Sequence, residues 1–237
     1  MLINPETLSD NLGRLESIEK GSLRLVTQAL YDFRETAAEI IRRETDKIQD
    51  IAEDITREAL DRIGVSKIDA RLFGKMDYKR ARYVFNKDSA VRQALFVDSK
   101  AEKVQGQDTA TIQTAQTSLR IRHVRSGQEV DEPGKLPPII ETEKGRLLTT
   151  TIFVKYNYEE LRQQNKLVSI TVAALPNAML QDRYNPTARD TIWRAGRNAP
   201  TLGEPFRVRL VFDKLREKTP WRVQKIPVAP RPFTWNE

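Results

Sequence analysis

Apolar residues recur along the first quarter of the chain at helical spacing. Leu12, Leu15 and Ile18, then Leu25, Leu30 and Phe33, stand three to five residues apart with polar residues between them, the pattern of a helix that buries one stripe. It predicts helix over residues 8–63, with Ser9 as N-cap and Gly21 separating two helices. Ile48, Ile51, Ile55 and Leu60 continue the stripe to a stop at Gly64. The period then shortens. Residues 71–103 read as a β-hairpin turning at Asn86-Lys87-Asp88-Ser89. In its second arm Ala94-Leu95-Phe96-Val97 is an unbroken apolar run, the mark of a strand buried on both faces.

Two more β-forming runs follow, at 149–156 (TTTIFVKY) and 168–175. Between them YEELRQQNK reads as a helical turn or loop. Residues 108–119 suit a short helix or a loop, and 126–148, punctuated by Gly and Pro, a long loop. RYNPTARDTIWRAGRNAPTLGEP reads as an irregular loop. PFRVRLVFDKL alternates, with Phe206, Val208 and Leu210 on one side and Arg207, Arg209 and Val211 on the other. WRVQKIPV is a last strand, and the proline-rich APRPFTWNE an extended arm. An apolar central sheet beside N-terminal helices indicates an α/β or α+β domain. No linker separates two complete cores, so one domain spans 1–237.

Composition narrows the chemistry mainly by exclusion. With no cysteine and one histidine, His123, the chain cannot build disulfides, thiolate zinc sites, cysteine nucleophiles or multi-histidine metal sites. His123 sits among arginines in LRIRHVRSG, which suggests a surface or phosphate-facing position, with a lone general base as the other reading. No run approaches the roughly 20 apolar residues that cross a membrane, and MLINPETLSD does not resemble a secretory signal. The expectation is a cytoplasmic protein with no membrane partner. Neither Gly-x-x-x-x-Gly-Lys nor Gly-x-Gly-x-x-Gly occurs, so nucleotide hydrolysis and dinucleotide redox chemistry lack support. The net charge of +7 suits a polyanion such as nucleic acid.

The candidate chemistry sits in the hairpin. Asp98 and Lys100, two apart on a strand, share a face. A turn at Asn86–Ser89 pairs residue i with 175 − i and sets Asp77 opposite Asp98. Facing carboxylates repel, and a carboxylate at the end of a buried strand is costly unless paired or metal-bound, so the arrangement calls for a cation. Two carboxylates on a hard metal beside a lysine are the core of a phosphodiester-cleaving site. Glu53, in IAEDIT, is either a solvated helix edge or a third acid leaning toward that site.

Several blocks, in order, resemble the SfiI-type restriction endonucleases of the PD-(D/E)xK nuclease superfamily. They are LESIEKGSLRLVTQAL, IAEDIT, MDYKRARY, ALFVDSKA, TTTIFVKYNYEEL, the RYNP turn, FRVRLVFDKL and PWRVQ. The superfamily's proline is replaced by Met76, ahead of Asp77. The resemblance implies an α/β restriction-endonuclease-like fold: a mixed central sheet flanked by helices, with a helical N-terminal part (1–64), a catalytic core (65–175), and a DNA-recognition part with a C-terminal arm (176–237). It implies Mg²⁺-dependent double-strand cleavage of DNA at an interrupted palindrome by a homo-oligomer, tetramer or dimer, alongside a cognate DNA methyltransferase. Asp77 and Asp98 take the places of the metal-binding acids, Lys100 that of the catalytic lysine, and Glu53 that of an accessory acid. Arginine bidentate to guanine is the commonest base-specific contact. Arg197, Arg207 and Arg209 are therefore the candidates for reading a GC-rich target, and Lys79, Arg80, Arg82 and Arg120 for phosphates or surface charge. The rival readings are a repair or structure-specific nuclease of the same superfamily, and a DNA-binding protein that keeps the fold without cutting.

Overall fold

The computed structural model describes residues 2–44, 48–64, 82–86, 90–104, 108–143, 145–162, 164–196 and 208–237. In chain order its elements are α1 (Leu12–Arg43), α2 (Ile48–Arg62), β1 (Arg82–Asn86), β2 (Val91–Lys103), β3 (Thr109–Ile112), β4 (Ile121–Arg125), β5 (Gln128–Glu132), β6 (Ile139–Thr142), β7 (Gly145–Glu160), β8 (Asn165–Leu175), α3 (Gln181–Tyr184), β9 (Trp193–Ala195), β10 (Val208–Val211), α4 (Phe212–Lys218) and β11 (Val223–Pro227).

The amphipathic stripe builds one long helix rather than two. α1 runs 32 residues through Gly21. A single interior glycine costs about 1 kcal/mol, which the buried Leu15, Ile18, Leu23, Val26, Leu30 and Phe33 on either side outweigh. Its N-cap is Asn11, whose side chain accepts from the Arg14 amide. Ser9 lies in the preceding 3-10 turn, where its hydroxyl donates to the Glu6 carbonyl instead. α2 ends as expected at Gly64, whose φ of +73° suits a residue without Cβ.

The central sheet is mixed, in the order β1-β2-β7-β8-β11, with β6 also on β7. β2 and β7 run parallel and the other pairings are antiparallel. β7 is buried from Leu147 to Tyr158 on both faces. One face, with Leu95, Ile152, Val154, Tyr156, Ile170 and Val172, packs against α1 and α2. On the other, Phe153, Ala173 and Leu175 meet Ala110, Ile112, Trp193, Val208, Leu210 and Phe212. Those residues belong to α4 and a second, three-stranded sheet, β3-β10-β9.

Other expectations change. Residues 108–119 hold strand β3 and a 3-10 turn, because β3 pairs with the distant β10. The loop expected over 126–148 contains β5 and β6. Ser126 and Gly127, both with positive φ, form the two-residue turn of the β4–β5 hairpin. β7 continues to Glu160, leaving only a short turn closed by the Leu161 amide on the Gln164 carbonyl. In the β1–β2 hairpin Arg82 faces Leu95 and Asn86 faces Val91, a register two residues from the expected one. Asn86 stays in the strand, and Ala90, at φ +52°, joins the turn. The terminal arm is extended, as expected, but lies back on the fold. Phe233 stacks near Tyr31 of α1, and Gln224 of β11 exchanges hydrogen bonds with Asn236.

Candidate active site

Alternation along β2 gives its two faces different tasks. Ser99 points toward the helices, its hydroxyl donating to Thr56 of α2 at 2.8 Å, and Thr56 is also 2.8 Å from the Tyr156 hydroxyl. This fastens the strand from behind. Asp98 and Lys100 point the other way, toward β3. Asp98 is buried, 5% exposed. Lys100 Nζ lies 4.0 Å from Asp98 Oδ2, donates to the Thr111 carbonyl at 2.7 Å and sits 5.8 Å from the Phe153 ring. Its side chain keeps 28% of its surface in solvent. The carboxylate is thus fixed within the protein while the ammonium beside it remains reachable.

The same face carries charges that sequence reasoning missed. Lys155 of β7 pairs in register with Lys100, and its ammonium donates to the Thr109 carbonyl at 2.9 Å. Glu102 lies 3.7 Å from Lys155 and 3.3 Å from Arg209 of β10. Arg209 Nε donates to Thr109 Oγ1 at 2.6 Å and Nη1 to Thr111 Oγ1 at 3.3 Å. Burial holds the Lys155 ammonium below the usual lysine range, against the pull of Glu102 and Asp108. The available signal was a lone lysine two residues after Phe153 in an apolar run. What could not be seen was the parallel pairing that sets it beside Lys100.

The remaining candidates divide. Asp77, Lys79, Arg80, Arg197 and Arg207 lie outside the described residues, as does the expected pairing of Asp77 with Asp98. Glu53 is exposed on α2, the helix behind β2. Arg82 is not the expected surface cation. It is buried, pairing with Asp61 at 2.8 Å and donating to the Arg57 carbonyl at 3.3 Å. Arg209 directs its guanidinium onto Glu102 and the two threonines, with 31% of its side-chain surface left in solvent. Arg120 pairs with Asp131 at the β4–β5 hairpin. His123, expected at the surface, is 1% exposed; burial, assisted by Arg125, lowers its pKa.

Comparison with known proteins places the chain in a family. Residues 15–226 match the family of the type II restriction enzyme SfiI. The chain is 35% identical over 229 residues to the type II restriction enzyme SfiI of Streptomyces fimbriatus, covering 91% of this chain and 85% of that one. The chain belongs to the SfiI family of type II restriction enzymes. Among solved structures it resembles tetrameric SfiI bound to cognate DNA, with a TM-score of 0.83 and 30% identity over 100% of this chain and 92% of that one. It shares its fold with the restriction endonuclease BglI bound to its DNA recognition sequence, with a TM-score of 0.69 and 15% identity over 95% and 94% of the two chains. The family makes the protein a site-specific DNA endonuclease on a restriction-endonuclease fold, as the resemblance implied.

Within that family the donors at hand suit a hard metal. Thiolates are absent from the chain, and the single imidazole is buried on β4. Among the described residues no group of three or more His, Asp or Glu side chains could hold a metal ion. Asp98 offers oxygen alone. A carboxylate such as that of Asp98 is a hard oxygen donor of the kind Mg²⁺ takes, one or two at a time, with water and phosphate oxygens in its other positions.

Proposed function

We propose that this SfiI-family enzyme makes Mg²⁺-dependent double-strand breaks in DNA at a specific, GC-rich interrupted palindrome. The observation that carries the reading is the buried Asp98 carboxylate with the reachable Lys100 ammonium 4.0 Å away on one strand face. Asp98 and Asp77 would hold the metal. Bound there, Mg²⁺ supplies charge for the phosphate and lowers the pKa of a coordinated water. Lys100, already tethered to the Thr111 carbonyl, donates to a non-bridging oxygen of the scissile phosphate and orients the attacking water. As charge builds on the pentacovalent phosphorus, that fixed ammonium stabilises it without reorganising. Glu53 would serve as an accessory acid beyond these.

Base reading falls to Arg197, Arg207 and Arg209, the last of which also pairs with Glu102. Lys79 would contact backbone phosphates, which position the duplex without specifying sequence. The whole chain, 1–237, acts as one endonuclease domain. It assembles as a homotetramer like the DNA-bound SfiI structure and works in the cytoplasm with a methyltransferase that protects the host's own sites. No helix among the described residues is long and apolar enough to cross a membrane.

The test is digestion of a large GC-rich phage DNA in Mg²⁺, beside an EDTA control and Asp98→Ala. Discrete metal-dependent bands, absent with the variant, are expected, and sequencing of the ends gives the site. A metal-dependent smear would replace this reading with an unspecific nuclease. Unchanged cutting by the variant would remove Asp98 from the mechanism.

A further inference from the structure

Lys155 is a buried charge that the cleavage chemistry itself does not use. It starts from the position on β7 directly beside Lys100 on β2. Parallel strands lie about 4.8 Å apart, so two ammonium groups on one face would repel. The structure separates them by giving each its own acceptor on the same strand. Lys155 takes the Thr109 carbonyl and Lys100 the Thr111 carbonyl, two residues on and facing the same way. Arg209 grips both threonine hydroxyls from β10, and Glu102 lies between Arg209 and Lys155. β3 is thus clamped to β7 by Lys155, and the point that tethers the Lys100 ammonium lies one strand repeat away.

Stability alone does not call for a lysine here. Lys155 is 4% exposed and packs toward the Phe212 ring at 5.9 Å. A methionine of similar volume would fill that space, and Glu102, about a quarter exposed, would keep Arg209 at 3.3 Å as its counter-charge, so the replacement leaves no buried carboxylate unpaired.

We propose that Lys155 is a positioning residue for DNA cleavage, fixing β3 so that the Thr111 carbonyl holds the Lys100 ammonium beside Asp98. The inference rests on the proposed roles of Asp98 and Lys100, and both can be tested together. Wild type, Lys155→Met, Lys155→Arg, Lys100→Met and the double variant Lys155→Met/Lys100→Met are compared. The readouts are single-turnover cleavage of the duplex the wild type cuts, binding to that duplex in EDTA, and Tm.

Displacement of a reacting group by about 1 Å costs on the order of 10²-fold. Lys155→Met is therefore expected to cleave about 10–10²-fold more slowly, with DNA affinity within about twofold and the fold retained. Lys155→Arg should recover part of the rate. The double variant should be no slower than Lys100→Met alone, because Lys155 acts through Lys100. A merely structural lysine would lower the rate only in step with the folded fraction, independently of Lys100. Cleavage by Lys155→Met at the wild-type rate, or full additivity with Lys100→Met, overturns the inference while leaving the function intact. If Lys155→Met fails to fold, Glu102→Gln, which removes the neighbouring carboxylate instead, must show the same non-additivity. Wild-type protein that cuts no DNA in Mg²⁺ overturns the functional reading and the inference with it.

Discussion

Among the described residues, the charges around Arg222 and those around Asp98 make two contrasting groups. In the first, Arg222 is fully buried, 2.6 Å from Glu19 and 3.4 Å from Glu16 of α1, with the rings of Tyr184 and Trp221 against its guanidinium. Glu19 also accepts from the Asn177 amide at 2.7 Å. Burial pushes the Glu19 carboxyl above its ordinary range, against the pull of Arg222. In the second, Asp98, Lys100, Glu102, Lys155 and Arg209 line the face of β2 and β7 turned to β3. Asp98 and Lys155 are nearly as hidden as Glu19, but Lys100 and Arg209 each keep more than a quarter of their side-chain surface in solvent. Burial of charge therefore does not mark a site. The proposed site is set apart by Asp98 and Lys100 standing two residues apart on one face of β2, where Lys100 keeps more than a quarter of its surface in solvent.

The sharpest way to break the comparison is to make the same amide substitution in each group. Asp98→Asn removes a negative charge from the carboxylate proposed to hold the metal. Metal assistance supplies several kcal/mol of transition-state stabilisation, so cleavage should fall by more than about 10³-fold with Tm nearly unchanged. Glu19→Gln leaves Arg222 buried without its nearest counter-charge. Breaking a buried pair costs about 3–5 kcal/mol, on the order of 10 °C in Tm for a chain of this size, while cleavage well below that temperature should persist. Calorimetry and a timed digest of both proteins decide it. If Glu19→Gln loses activity while folded, the two groups are coupled and the distinction fails.

Arg82 sharpens it at smaller scale. On sequence it is a DNA-contacting cation; in the structure it ties β1 to α2 through Asp61. Arg82→Met should lower stability by about 1.5–3 kcal/mol, the worth of hydrogen bonds to charged groups. It should leave the slope of log K against log salt for DNA binding unchanged. A phosphate contact would instead reduce that slope by about 1, so a salt titration separates the two roles.

Arg82 also shows where sequence legibility stops. The helices were readable because Leu15, Ile18, Leu30, Phe33 and Ile55 repeat at the helical period, β2 because ALFV has no polar break, and β7 and β8 because their runs are rich in strongly β-forming residues. The Asp98–Lys100 pair was readable because period-2 alternation is local. The family resemblance supplied the roles. What escaped depends on pairings between distant segments. Whether an arginine on β1 is exposed is settled by Asp61 of α2, and whether TATI is a strand by β10. That Lys155 stands beside Lys100 is settled by the parallel register of β2 and β7. The hairpin register was missed for a local reason: Ala90, not Asn86, belongs to the turn, a choice that residue propensity does not favour.

His123 belongs to neither group and gives the smallest expected effect. It sits on β4 opposite Val130 and is almost wholly buried. Burial, with Arg125 adding to it and a Val124 backbone hydrogen bond opposing, places its folded pKa below the ordinary 6.5. Between that lowered value and 6.5 the unfolded chain binds a proton that the folded one does not, so stability rises with pH across this window. The contribution is complete above 6.5 and is lost as pH falls through the folded pKa. Glu19 acts in the opposite sense. Its folded pKa is raised from 4.5, so the folded state binds more protons just above 4.5 and stability there falls as pH rises. The two must be separated by difference. Urea unfolding of wild type and His123→Gln at about pH 7.5 and about pH 5.5 should show the wild type losing more stability on acidification than the variant. An equal loss in both would mean that the imidazole of the β4–β5 hairpin titrates alike folded and unfolded, and that its burial carries no electrostatic cost.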